Sequence, residues 1–211
     1  YYLNHIPFAD HGALLDPPTS DVTARCVGML AQLGYPSTHP AIARGVEFLK
    51  SEQEQDGSWF GRWGTNYIYG TWSVLHALNA VGEDPAQPCI QKAVAWLKSI
   101  QRDDGGWGED CGNYWTERRT MPAKASTASQ TAWAVLGLLA AGEVRSEAVA
   151  RGINFLINAP REGGHWEEKW YTAVGFPRIF YLKYHGYSHY FPLWALARYR
   201  NLMSGNALTT P

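Results

Sequence analysis

The sequence predicts an all-α protein, an α/α toroid (barrel) of repeated helix pairs of which this chain supplies a part. Three observations lead to this prediction. A unit of two helical segments occurs three times along the 211 residues, each first segment stops at a glycine, and a Gln-x3-Gly-x-Trp motif follows the second segment. Because two helix types alternate, we expect an inner row and an outer row of helices.

The first helix of each unit falls at 21–34, 70–82 and 130–142. In each copy a threonine stands eleven residues before a glycine, and apolar residues recur at spacings of three and four between them. Glycine directly after the last periodic residue is a typical helix stop. The three threonine–glycine pairs are Thr23 with Gly34, Thr71 with Gly82, and Thr131 with Gly142.

The second helix of each unit falls at 43–53, 91–101 and 150–160. Each copy carries a cation, a small residue and then an aromatic–leucine pair, which indicates an amphipathic helix with one buried face. A further helix of the first type, at 191–202, follows the third unit.

The motif after the second helix is complete twice and partial once. Its complete copies are Gln53, Gly57, Trp59 and Gln101, Gly105, Trp107, whereas the third copy has Pro160 in place of glutamine before Gly164-x-Trp166. The glutamine amide can satisfy backbone groups at a helix end, and glycine permits the tight turn. We therefore expect these residues to join consecutive helix pairs rather than to line a site.

Composition narrows the function classes. The net charge is −1 and no basic patch is present, so a nucleic-acid partner is not expected. Three widely spaced cysteines do not form a disulfide framework, which favours a reducing compartment. Aromatic residues make up 14% of the chain, with 10 Trp and 12 Tyr, so either stability or a π-rich pocket depends on them. The chain has no initiator methionine, as expected for part of a longer protein.

A helix-pair repeat closed by Gln-x3-Gly-x-Trp resembles the triterpene cyclases. Further stretches are similar to the bacterial squalene–hopene cyclases, namely DPPTSDVTAR (16–25), DGSWFGRWGTNYIYGT (56–71), DGGWGEDC (104–111) and GFPRIFYLKY (175–184). The related oxidosqualene cyclases carry Val-Glu-Cys-Thr where this chain has Ser-Asp-Val-Thr at 20–23, which favours the squalene–hopene branch.

The resemblance implies an isomerase that cyclises squalene to hopene or hopanol in hopanoid biosynthesis, with no cofactor and no metal. Residues 1–211 would be the C-terminal part of its α/α-barrel domain. The proton-donating Asp-x-Asp-Asp-Thr motif would lie upstream, so this chain alone is expected to be inactive. The full-length protein would be monotopic on the cytoplasmic side of the cell membrane, with squalene and membrane lipid as partners. A homodimer remains open.

Cation chemistry explains the aromatic content. Electron-rich ring faces stabilise a carbocation without reacting with it, by about 2 kcal/mol or more when desolvated. By resemblance, Trp63 and Tyr69 lie near the acid end of the cavity, around the first ring. The alternative interpretation is that both are core residues of the barrel.

Four aromatic residues further along are spaced four, four and three, which predicts one face of a helix with Pro177 at its first position. Without the resemblance this stripe would be core packing. With it, Phe176 and Phe180 match cavity residues facing later cationic centres, and Tyr184 matches one near the early cation. Tyr187 follows Gly186, which can break the helix first.

Asp21 stands at a helix start, where the macrodipole favours an anion. The resemblance places it in the group that supports the proton donor. Arg25 occupies the position of a histidine in several relatives, and a cation there strengthens the donor acid but cannot relay a proton. Alternatively, Asp21 and Arg25 form an i,i+4 ion pair. Phe8 matches a residue at the constriction of the substrate channel.

Two other function classes share the toroid. A protein prenyltransferase β subunit needs an Asp/Cys/His zinc site, and neither the acidic cluster at 104–111 nor His185 with His189 has that spacing. The acidic cluster is better interpreted as capping helix ends. A non-catalytic toroid module would not need both aromatic stretches. A measurement of bound zinc distinguishes the prenyltransferase class, and conversion of squalene distinguishes the non-catalytic class.

Overall fold

The computed structural model describes residues 16–159 and 161–205. Seven α-helices lie in this part of the chain: α1 (Ser20–Gln32), α2 (Pro40–Ser51), α3 (Tyr67–Ala80), α4 (Pro88–Ser99), α5 (Ala128–Ala140), α6 (Glu147–Asn158) and α7 (Tyr187–Met203). The helices predicted from the repeat are therefore confirmed. Phe8 and Pro160 lie outside the described residues.

The helices form two layers. Helices α1, α3, α5 and α7 pack side by side in that order, and α2, α4 and α6 pack against their outer surface. Every residue of α5 is buried, as are the residues of α3 from Tyr67 to Leu78. By contrast, α2, α4 and α6 bury only one face. This arrangement of an inner and an outer row is the predicted α/α toroid.

Three antiparallel hairpins lie in the connections of the described part of the chain. They pair β1 (Trp107–Glu109) with β2 (Pro122–Thr127), β3 (Arg161–Glu162) with β4 (His165–Trp166), and β5 (Ala173–Phe176) with β6 (Phe180–Leu182). The last hairpin occupies the segment where the aromatic spacing predicts a helix, so that prediction is wrong.

The repeated motif joins each unit to its own outer helix and to the next one. The indole Nε1 of each motif tryptophan donates to a leucine carbonyl near the end of the preceding outer helix: Trp59 to Leu49 at 2.6 Å, Trp107 to Leu97 at 2.8 Å, and Trp166 to Leu156 at 2.8 Å. The backbone N–H of Trp59 and Trp107 donates to the hydroxyls of Thr71 and Thr131. The repeated threonines are therefore the sites where the motif attaches to the next inner helix.

The motif glutamines reach the next outer helix. Gln53 Nε2 donates to the carbonyls of Gly57 and Cys89, and Gln101 Nε2 to those of Gly105 and Ala148. Cys89 is the second residue of α4 and Ala148 the second of α6. Each glutamine amide therefore bonds two partly buried carbonyls in consecutive units.

Two glycines with positive φ differ in how closely the next helix approaches them. Gly57 has φ 97° and a Cβ built on it would lie 2.7 Å from the carbonyl oxygen of Lys92 in α4. Gly82, two residues after the end of α3, has φ 80° with no atom within 4 Å of such a Cβ. Both substitutions to alanine therefore strain the backbone, but only the one at Gly57 also pushes against a helix.

We expect Gly82→Ala to cost about 1 kcal/mol of unfolding free energy, the cost of a left-handed alanine. Gly57→Ala is expected to cost about 2 kcal/mol more, because α4 must move to admit the methyl group. Urea unfolding of both variants beside the parent measures the difference. Equal losses would show that the motif glycine is required for its turn alone.

Candidate functional site

Asp21 joins the start of α1 to the loop that carries Trp63. Its Oδ1 accepts hydrogen bonds from the Thr19 hydroxyl at 2.6 Å and the Val22 backbone N–H at 3.0 Å. Its Oδ2 accepts from the Trp63 backbone N–H at 2.8 Å. The side chain is buried, with one oxygen bonded at the start of α1 and the other to the backbone of the loop.

Arg25 lies one turn after Asp21 and stacks on aromatic rings. Its guanidinium carbon is 4.1 Å from the Trp72 ring centroid and 5.8 Å from that of Tyr69. The structure thus places Arg25 over Trp72, and the ion pair with Asp21 that the spacing also allows is not among those formed by the described residues.

Trp63 lies in the loop before α3 and Tyr69 in the first turn of α3, and the two have different surroundings. The Trp63 side chain is 41% exposed, whereas Tyr69 is buried with its ring edge-on to Trp72 and Trp133. Burial raises the pKa of Tyr69, and the Arg25 charge partly opposes the rise. A Cβ at Gly64 would lie 2.4 Å from the Tyr69 ring, so only glycine lets the loop cross that ring.

The expected aromatic stripe divides into two pairs. Phe176 and Phe180 face each other across the β5–β6 hairpin with ring centroids 5.5 Å apart, and Tyr184 and Tyr187 are 5.1 Å apart where α7 begins. Phe180 and Tyr184 are exposed. The hairpin and not a helix positions the two phenylalanines.

Pairing over a long sequence distance explains why the helix prediction failed. The Thr65 N–H donates to Thr172 O at 3.0 Å, and the Val174 N–H donates to Trp63 O at 3.3 Å. Gly64 and Ala173 form a β-bridge. These bonds hold 172–174 as an extended strand against the Trp63 loop, and Arg178 at φ 70° completes the reversal after Pro177.

An aromatic cluster that the sequence interpretation missed lies between the inner helices. Trp72 and Trp133 stack with centroids 6.1 Å apart and an interplanar angle of 7°. Phe191 meets both rings edge-on, and Trp194 meets Trp72 in the same way. Trp72 directly follows Thr71 and Trp133 stands two residues after Thr131, so the repeated threonines are the signal that could have located both.

Polar groups lie beside this cluster. A cavity of about 210 Å³ is lined by Arg25, Ser73, His76 and Trp194 among others. His76 Nε2 is buried without a hydrogen-bond partner in the described part of the chain. Burial, and then the charges of Arg198 and Arg25, lower the pKa of His76 to about 4.

Residues of the acidic cluster at 104–111 cap backbone groups, as the sequence interpretation expected. Glu109 accepts from the backbone N–H groups of Asn66, Tyr67 and Ile68 at the start of α3. Burial raises the pKa of Glu109, and these three bonds oppose the rise. Asp110 Oδ1 accepts from the Gly112 N–H at 2.7 Å.

Residues 1–201 match the family model described as the squalene-hopene cyclase C-terminal domain. A probable squalene–hopene cyclase from Sinorhizobium fredii is 64% identical over 207 residues, which cover 98% of this chain and 32% of that protein. The squalene–hopene cyclase of Zymomonas mobilis is 62% identical over 205 residues, covering 97% and 31%.

One solved structure supports the fold. The ent-copalyl diphosphate synthase from Streptomyces platensis matches with a TM-score of 0.65 at 22% identity, over 89% of this chain and 34% of that chain. At this identity the likeness concerns the fold alone. The chain spans about a third of the length of the curated relatives it matches.

The buried histidine predicts a pH dependence. Because the folded-state pKa of His76 lies below its ordinary value, its contribution to stability is present above pH 6.5 and is lost as the pH falls towards about 4. The loss amounts to up to roughly 3 kcal/mol. Urea unfolding across this range should show a shallower acid destabilisation in His76→Gln than in the parent. Parallel curves would contradict the prediction.

Proposed function

Because the chain belongs to the squalene–hopene cyclase family, as its C-terminal domain, we propose that the whole protein cyclises squalene through a carbocation cascade to hopene or hopanol. The observation that carries the proposal is that the loop containing Trp63 is hydrogen-bonded to the β5–β6 hairpin. Backbone hydrogen bonds and a β-bridge join the two segments. Together they form the Trp63–hairpin framework, which carries the rings of Trp63, Phe176 and Phe180.

This framework suits a carbocation because it combines π faces with inert carboxylates. A free carboxylate in contact with a carbocation would trap it. Asp21 accepts three hydrogen bonds and Glu109 accepts three from backbone N–H groups, so both are held by the fold. Preorganised ring faces in a water-excluding cavity then stabilise positive charge without ending the reaction.

We assign roles along the reaction as follows. Trp63 and Tyr69 stabilise the early cation, Phe176 and Phe180 the later centres, and Tyr184 with Tyr187 line the cavity beside α7. Asp21 and Arg25 support the proton donor of the upstream motif, and the fixed charge of Arg25 makes that donor a stronger acid. Phe8 would narrow the channel through which substrate enters.

A second set of proposals concerns location and partners. A long hydrocarbon substrate dissolves in lipid, which supports monotopic attachment to the cytoplasmic side of the cell membrane. In the described part of the chain, every helix falls short of the length and apolarity that a membrane-crossing helix needs. Sedimentation of the detergent-solubilised protein tests the homodimer, and a mass of one chain would exclude it.

The alternative classes are less well supported. The family match and the two relatives at 62–64% identity do not favour a prenyltransferase β subunit or a non-catalytic toroid module. The test of the main proposal is to incubate the full-length protein with squalene and analyse the hydrocarbon products by gas chromatography–mass spectrometry. Absence of cyclised product from folded protein would overturn it.

Substitutions of the π faces should change which products form. We expect Trp63→Ala and Phe176→Ala in the full-length protein to raise the fraction of partly cyclised products about tenfold, since each removes a stabilising ring from one cationic stage. The measurement is the product distribution at equal squalene conversion.

A matched control is Trp170→Ala. Trp170 is 40% exposed and has the Lys124 ammonium 5.2 Å from its ring, so it resembles Trp63 in exposure and in having a cationic neighbour. It lies outside the Trp63–hairpin framework, and its loss should leave the distribution unchanged. If all three variants gave the parental distribution, the roles of Trp63 and Phe176 would be refuted.

A further inference from the structure

Arg62 is a buried cation at the centre of the Trp63–hairpin framework. The residue is only 7% exposed. Its guanidinium carbon lies 4.4 Å from the Trp63 ring centroid and 5.5 Å from that of Phe176. Its Nη1 donates to the Gly175 carbonyl at 3.0 Å, and its Nη2 is 3.6 Å from Asp16 Oδ1. A buried charge is costly unless bonded, so these contacts define what Arg62 does.

The bond to Gly175 falls where the hairpin is irregular. The β5–β6 register shifts between Val174 and Phe176, so Gly175 stands at the break. A Cβ at Gly175 would lie 2.0 Å from the Phe180 ring, which shows that this ring rests directly on the glycine backbone. Arg62 therefore fixes the peptide from which Phe176 projects and on which Phe180 lies.

The same guanidinium determines which ring faces are available. It is permanently charged, and a planar guanidinium stacks on aromatic rings. A carbocation approaching the faces that Arg62 already covers would be repelled by a like charge. Arg62 therefore excludes a carbocation from the ring faces of Trp63 and Phe176 that its guanidinium covers.

We propose that Arg62 is a positioning residue of the cyclisation site, which locks Trp63 to the Phe176 hairpin and excludes the carbocation from the ring faces that its guanidinium covers. This inference rests on the proposed function. It assigns the positioning role to the planar fork of the guanidinium, because only that group can stack on two rings while donating to Gly175.

The test uses Arg62→Met and Arg62→Lys in the full-length protein with squalene. Methionine retains an apolar stem without charge or fork, and lysine retains the charge without the fork. We expect both to raise the fraction of partly cyclised products about tenfold at equal conversion. A role in stability alone would lower the amount of folded enzyme and leave that distribution unchanged.

Arg119→Met is the matched control. Arg119 also lies over a ring, 4.2 Å from the Tyr67 centroid, and is paired with Glu54 and Asp56 away from the hairpin. It should give the parental distribution. A parental distribution in either Arg62 variant overturns the inference while the proposed function stands. If the parent enzyme itself yields no cyclised product, the proposed function fails instead.

Discussion

The structure depends on satisfying the backbone N–H groups at the buried beginnings of its inner helices. Helices α3 and α5 are enclosed by neighbours, so water cannot take the place of a cap. Glu109 accepts from three N–H groups at the start of α3, and Glu168 accepts from the Ser129 N–H at the start of α5. Each glutamate stands two residues after a motif tryptophan. The residues that follow the motif therefore also supply the carboxylate that caps an inner helix.

The first unit lacks this capping glutamate, and the candidate site lies at that point of the chain. Gly61 stands two residues after Trp59, where the other units have glutamate, and a Cβ there would lie 2.2 Å from the Asn66 carbonyl oxygen. Without a capping glutamate, the loop crosses the beginning of α1, where Asp21 accepts from the Trp63 N–H. The Tyr114 hydroxyl lies 2.6 and 2.8 Å from the carbonyl oxygens of Gly61 and Gly64, and these contacts fix the loop.

How far the sequence predicts this structure depends on the distance over which each feature is determined. The helices follow from spacings of three and four within a single segment, and Gly34, Gly82 and Gly142 all have the positive φ that a helix stop requires. The β5–β6 hairpin depends on strand pairing with residues about a hundred positions away, which the spacing of its aromatic residues does not reveal. The Trp72–Trp133 stack was missed because helical periodicity does not distinguish a core ring from one at a cavity.

Arginines stack on aromatic rings both at α1 and beside the β5–β6 hairpin. Arg25 covers Trp72 from α1, and Arg62 covers Trp63 beside the hairpin, so each of these rings already has a fixed cation on one face. Rings able to hold a guanidinium are also able to hold a carbocation, because both interact with the same quadrupole. The two arginines differ from a reaction intermediate in being permanent, which fixes the protein side of each ring. The two rings differ in what remains accessible: Trp72 is fully buried and stacked on Trp133, whereas Trp63 is 41% exposed. Under the proposed function, Trp63 is therefore the ring of the two that combines a permanent cation with surface open to a charge that forms only during the reaction.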